Sequence, residues 1–256
     1  MPNFIIDIVR VLRAVKFFLL KKSVLVKNSS YKDKFRGEDV FILANGPSLE
    51  IEQLEKIKGK NIITMNDFHK ARGEFDFKIV AHCSGEPHTS TAWTDPSEMI
   101  RLIDSQSFWF NIYDHDVMGK ISDINKEINY VNPGFGQNSF FNEINLSKIC
   151  FNYQTSAQFA IQVAIYMGFK NIYLLGFDHD WLASPKFSKH FFSDKKQAND
   201  MIHEKSYLEL IKMCKEIWEM YYKLRKISKT KGVSILNLSK DSYLDIFLNK
   251  DISEVI

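Results

Sequence analysis

The feature that most limits this chain is the run Val40-Phe41-Ile42-Leu43-Ala44, followed at once by Asn45-Gly46-Pro47-Ser48-Leu49. An unbroken apolar stretch that opens on a β-branched residue suits a parallel strand covered on both faces, since a sheet with one wet face gives an alternating pattern. The strand is expected to stop at Leu43 or Ala44. Gly46 allows a sharp turn and a close backbone approach, Pro47 fixes the exit, and Ser48 stands where an N-cap would open a helix over Leu49 to Ile57. Such a turn is read as offering backbone N–H groups to a phosphate.

The pattern then repeats. Asn61 to Phe68 is a second short strand ending in polar residues, Phe75 to His82 a third, and Ser107 to Tyr113 another. Ser84 to Ser97 is a polar loop and Met99 to Ser105 a helix. Strands alternating with helices predict an α/β fold with a doubly wound, mostly parallel, Rossmann-like sheet. In such sheets ligands gather beyond the carboxyl ends of the strands, so Asn45, Asn66 and His82 are expected to line one crevice. Asp114 to Cys150, including Asn132-Pro133-Gly134-Phe135-Gly136-Gln137-Asn138, has little periodicity and is expected to be an irregular excursion over that crevice.

Further on, Thr155 or Ser156 caps a helix whose close-packing face is Ala157, Ala160, Ile161, Ala164 and Ile165, and Gly168 stops it. Its N-terminus, with two hydroxyls, is a second anion-favouring element. Asn171 to Asp178 is another buried strand, leaving through Gly176-Phe177-Asp178. The last third reads as a long amphipathic helix from Ala198 to Ser228 and a final strand from Val233 to Leu238, which brings Asn237 and Ser239 to the crevice side as ligands or as turn residues.

Two segments are assigned. Residues 1–36 form a basic amphipathic helix and linker, and residues 37–256 a single catalytic domain, for which 256 residues with 45% hydrophobic content are ample. Phe4 to Leu20 mixes apolar clusters with Asp7, Arg10, Arg13 and Lys16 and runs into Lys21 and Lys22. It reads as an interfacial anchor on an anionic membrane or as a helix packed on the domain or a partner subunit. Lys27 to Asp39 is expected to be the linker. A net charge of +3 gives no global field for nucleic acid. Cys83, Cys150 and Cys214 lie far apart, so neither disulfides nor zinc is expected, and His82, Cys83 and His88 lack a second thiol at zinc spacing. With no cleavable leader and no apolar run of spanning length, the expected setting is the cytoplasm or the inner face of the membrane.

Taken in order, Asn45-Gly46-Pro47-Ser48, Asn66, Thr155-Ser156 and Ile172-Tyr173-Leu174-Leu175-Gly176-Phe177-Asp178 resemble the bacterial sialyltransferases of the Campylobacter type. They also resemble the wider group of flagellin nonulosonate transferases (the motility-associated factors) and archaeal-type hydroxymethylpterin diphosphokinases. The resemblance covers Val40 to His82 and Gln154 to Phe192, about a third of the chain. It implies a variant of the GT-A glycosyltransferase sheet that binds a cytidine monophosphate (CMP) sugar without a metal. On that resemblance, Asn45, Gly46, Pro47 and Ser48 approach the phosphate or ribose, Asn66 the ribose or donor sugar, and Thr155 and Ser156 the phosphate or sugar carboxylate. Gly176 and Asp178 lie by the cytidine pocket.

The family's acceptor base is a histidine after the Gly-x-Asp strand. Here the candidate is His190, with His203 as the fallback, and the segment carrying it is shorter than in those enzymes. The implied activity is inverting transfer of sialic acid or a related acidic sugar to a surface glycan or glycolipid, with no cofactor. Asp178-His179-Asp180 also matches the Asp-x-Asp that holds magnesium or manganese on a diphosphate, with His179 incidental. That pair would serve the alternative of a magnesium- and ATP-dependent pterin diphosphokinase. A third reading is a non-catalytic nucleotide-binding subunit of a polysaccharide assembly complex.

Overall fold

A computed structural model describes residues 3–70, 77–87, 95–121, 125–134, 143–183 and 206–256. Nine strands among them form one sheet in the order β6-β5-β4-β3-β2-β1-β7-β8-β9, every pairing parallel. They are β1 (Asp39–Leu43), β2 (Asn61–Met65), β3 (Lys78–Ser84), β4 (Phe108–Asn111), β5 (Ile128–Pro133), β6 (Ile149–Cys150), β7 (Asn171–Leu175), β8 (Ser234–Asn237) and β9 (Leu248–Asn249). The helices are α1 (Asn3–Val26), α2 (Ile51–Lys56), α3 (Pro96–Leu102), α4 (His115–Met118), α5 (Ser156–Met167) and α6 (Tyr207–Thr230).

The first strand explains the two-sided burial. Val40 and Ile42 enter one core with α5 and α6, where Phe159, Ile161, Ile217 and Tyr221 lie. Phe41 and Leu43 enter the opposite core with Leu54 and Ile57 at α2. Successive side chains of a strand point to opposite faces, so a strand covered on both must be apolar at every position. A third core under α1 and α3 gathers Leu25, Met99, Ile100, Phe108 and Phe110. The fold is therefore the doubly wound α/β sheet with an N-terminal helix.

Several elements differ from expectation. The helix after β1 begins only at Ile51 and is capped by Glu50 in a reciprocal box with Gln53, so Ser48 is not its cap. The segment 114–150 holds α4 and the strands β5 and β6 as well as turns. Residues 27–39 are anchored to the domain through Asn28, Tyr31 and Phe35, which are buried, and Asn28 donates to the carbonyls of Tyr130 and Leu146 at 2.7 Å each. α3 starts at Pro96, because Asp95 caps it and proline suits the first helical turn. α6 starts at Tyr207 behind a Ser206–Glu209 capping box, and the expected residues 198–205 lie outside the described ones. The N-terminal helix runs past Leu20 to Val26 and breaks its regular angles at Lys21.

Candidate active site

The cleft opens where the sheet order reverses. The chain builds outward from β1 to β6, then returns to set β7 on the free side of β1, so the loops after β1 and β7 leave in different directions. The lining is Ala44 to Pro47 after β1, Met65 and Asn66 after β2, Thr155 to Ala157 opening α5, and Gly176 and Asp178 to Trp181 after β7. Eight residues singled out in the sequence thus meet in one cleft: Asn45, Gly46, Pro47, Asn66, Thr155, Ser156, Gly176 and Asp178. His88, His190 and His203 lie outside the described residues.

The wall formed after β1 and β7 is bonded to itself. Gly46 N donates to Gly176 O at 3.0 Å, Leu49 N to Gly46 O at 3.2 Å, and Ser48 N and Oγ to the two Asp178 oxygens at 3.1 and 3.0 Å. The expected phosphate cradle is therefore not formed here: these N–H groups already have acceptors, Pro47 has none to give, and α2 is too short to add a dipole. The fit is tight. A Cβ on Gly46 would fall 1.7 Å from Asp178 Oδ2, and one on Gly176, which sits at φ +74°, would fall 2.6 Å from Ala44 O. Burial raises the Asp178 carboxyl above its ordinary range and Asp180 adds to this, while the bonds from Ser48 pull it back.

The opposite wall has polar groups to spare. Thr155 caps α5 by accepting from Gln158 N at 3.2 Å, and Ser156 Oγ accepts from Gly85 N at 3.1 Å, leaving its proton for a ligand. The first-turn N–H groups of Ser156 and Ala157 have no carbonyl one turn back, and the positive end of a 12-residue helix stands at the cleft. Asn66 lies across from this wall at φ +49°, and Asn45 Nδ2 reaches Met65 O at 3.4 Å.

His179 is not incidental. It sits at φ +56° and is buried among Phe177, Trp181, Trp218 and Tyr221, with Nε2 3.0 Å from the Tyr221 hydroxyl. Tyr221 belongs to the core that it shares with Phe159 and Ala160 of α5, so the pair packs behind the α5 wall. Burial pushes the His179 pKa down to about 4, which keeps the ring neutral at pH 7. The aromatic residues at 177 and 181, two to either side, were the available signal for a buried ring.

His82 fails as a lining residue on burial, Asn237 and Ser239 take the turn role of the two expected for them, and Ser48 falls outside the lining. His82 lies within the sheet, fully buried, with Nδ1 2.8 Å from Thr64 Oγ1, and does not line the cleft. Asn237 holds Ser242 and Leu244, and Ser239 Oγ accepts from Phe177 N at 2.8 Å, so both brace the turn after β7. Ser48 stands behind the lining, on Asp178. As for a divalent ion, Asp178 and Asp180 are the acidic residues of the lining, Asp178 is already held by Ser48, and no group of three His, Cys, Asp or Glu suited to a metal occurs among the described residues.

A family profile described as 6-hydroxymethylpterin diphosphokinase MptE-like matches residues 18–184. The chain belongs to this MptE-like family. The matched stretch of this MptE-like chain takes in α1 from Phe18 onward, every strand from β1 to β7, and the whole cleft lining. Among solved structures it is similar to the sialyltransferase CstII from Campylobacter jejuni in complex with the substrate analogue CMP-3FNeuAc, at 18% identity and a TM-score of 0.49 over 83% of this chain and 85% of that one. It is also similar to an apo α-2,3-sialyltransferase from the same organism, at 15% identity and a TM-score of 0.43 over 83% and 79%. No curated protein sequence matches.

Proposed function

We propose that this MptE-like protein is a metal-independent glycosyltransferase that takes an acidic sugar, sialic acid or a related nonulosonate, from a CMP-linked donor to a surface glycan or glycolipid. The observation that carries the reading is the contrast in charge and donors within the cleft. Among the described residues its lining holds two carboxylates and neither lysine nor arginine, while the α5 N-terminus offers N–H groups and the Ser156 hydroxyl. A nucleoside triphosphate in such a setting needs added cations. A phosphodiester with a single charge is served by a helix end and hydroxyls.

In this reading α5 holds the phosphate as it departs from the anomeric carbon. Asn45 and Asn66 bond ribose or sugar hydroxyls, and Asp178 and Asp180 accept from ribose hydroxyls or the cytosine amine. His190 takes the acceptor proton in one inverting displacement, a role resting on its place in the sequence after the Gly-x-Asp strand. The family's pterin diphosphokinase description supports the competing reading, in which the Asp178/Asp180 pair would carry magnesium on ATP.

One experiment separates the two: thermal unfolding of the purified protein with CMP, CTP, uridine and guanosine diphosphates or ATP, each with and without magnesium. CMP is expected to raise the melting temperature equally with and without the ion. Stabilisation by ATP or a diphosphate that requires magnesium would overturn the donor assignment.

A further inference from the structure

The N-terminal helix meets the sheet at a telling place. Asn28, just past its end, is bonded into the sheet at Tyr130 O, whereas Phe17 packs edge-on against Tyr113 with ring centroids 4.8 Å apart. Lys21 Nζ donates to Asp116 at 2.6 Å and lies 3.1 Å from His115 Nδ1. Tyr113, His115 and Asp116 all follow Asn111, the last residue of β4. Going backwards along the chain, α1 thus climbs to the carboxyl edge of the sheet, the edge on which the cleft opens. The 14 residues from Asn3 to Lys16, about 20 Å of helix, precede the Phe17 contact.

Most of the apolar side chains described along that part of the helix are exposed. Leu12 is 63% exposed, Val9 59% and Ile8 42%, and beyond Phe17 the outer face continues through Leu19 at 69% and Leu20 at 66%. At 100° per residue these positions, with Val15, spread over an arc of about 140°, wider than the seam of a two-stranded coiled coil. Residues 3–27 carry six basic side chains, Arg10, Arg13, Lys16, Lys21, Lys22 and Lys27, against one acid, Asp7. Pairing with a second copy would set these like charges together, whereas an anionic surface would neutralise them. No helix among the described residues is long and apolar enough to cross a membrane, so the geometry is that of a helix lying in an interface.

We propose that the α1 segment ahead of Lys21 docks on an anionic lipid bilayer and thereby turns the carboxyl edge of the sheet, with its cleft, toward the lipid surface. The test is flotation of the full chain, without nucleotide, on vesicles of phosphatidylcholine alone and of phosphatidylcholine with about one quarter phosphatidylglycerol. Because no donor is present, the result is independent of the transferase reading, which the CMP measurement tests separately.

Binding is expected to be at least about tenfold tighter to the anionic vesicles and to weaken as salt is raised. The double substitution Leu12→Glu, Leu19→Glu is expected to reduce it by about tenfold or more, and Arg10→Gln with Arg13→Gln and Lys16→Gln to remove the preference for anionic lipid. Both variants should keep the wild-type melting temperature, because the substituted side chains at 12 and 19 are exposed. Equal binding to both vesicle types, or full binding by the Leu12/Leu19 variant, would overturn the proposal. So would a wild-type dimer in sedimentation that the same variant dissolves while vesicles go unbound.

Discussion

The two walls of the cleft teach opposite lessons. The wall built from Asn45-Gly46-Pro47-Ser48 and Gly176-Phe177-Asp178 is the most conspicuous part of the sequence, yet most of its hydrogen-bonding groups are turned on one another. The wall built from Thr155-Ser156-Ala157, an ordinary helix start, keeps donors free toward the cleft. Spending polar groups on each other makes a rigid corner. Leaving them unspent makes a place for a ligand.

The sharpest way to break this comparison is Gly46→Ala. Its methyl would have to displace Asp178 or part the β1 and β7 exits, and a cost of about 3 kcal/mol or more in urea unfolding is expected. A fully stable variant would mean that the corner is loose. Next in size is the pH response of the His179–Tyr221 pair behind the α5 wall. His179 has a folded pKa of about 4, below its ordinary 6.5, so the unfolded chain takes up the proton first as pH falls. Stability present above about pH 6.5 should therefore drain away toward pH 4, by about 3 kcal/mol in all, and His179→Phe should flatten that slope. Unchanged slopes in the variant would assign the acid sensitivity elsewhere.

The smallest effects sharpen the comparison most finely. Ser48→Ala should cost about 1–2 kcal/mol by stripping a hydroxyl from the half-buried Asp178, with CMP affinity little altered. Thr155→Ala should cost about 1 kcal/mol as a lost helix cap and also weaken CMP binding, by about tenfold. Calorimetric titration of both variants reads the difference, and the reverse assignment of the CMP effect would exchange the roles given to the two walls. In the transfer assay, His190→Ala is expected to lose about 10²-fold or more in rate while still binding CMP, and retention of the rate would remove it as the base.

How much could be read in advance followed from how strongly each element declares itself. β1, α5 and β7 are long apolar runs with clear stops, and the residues at their ends were found in one cleft. β5 escaped because Ile128-Asn129-Tyr130-Val131-Asn132-Pro133 is broken by asparagines and a proline, and β6 and β9 are two residues long, too short for any period. Ser48 looked like a cap because hydroxyl residues usually are, but Asp178, 130 residues away, claimed it and left Glu50 to cap α2. His82 looked like a ligand for want of any sign that Thr64 would bury it. In both, a partner distant in the chain outbid the local rule.

The pairing of β1 with β7, Asp39 opposite Asn171, also fixes when the cleft can exist. A ribosome releasing this chain completes β2 to β6 on one side of β1 while its other edge still waits for a neighbour more than 130 residues downstream. Contacts of such separation are slow to close, and until they do the apolar edge of β1 is open to other chains. The Ser48–Asp178 lock is therefore among the late events of folding, and substitutions in it should lower the yield of active protein from cells further than their equilibrium cost alone would predict.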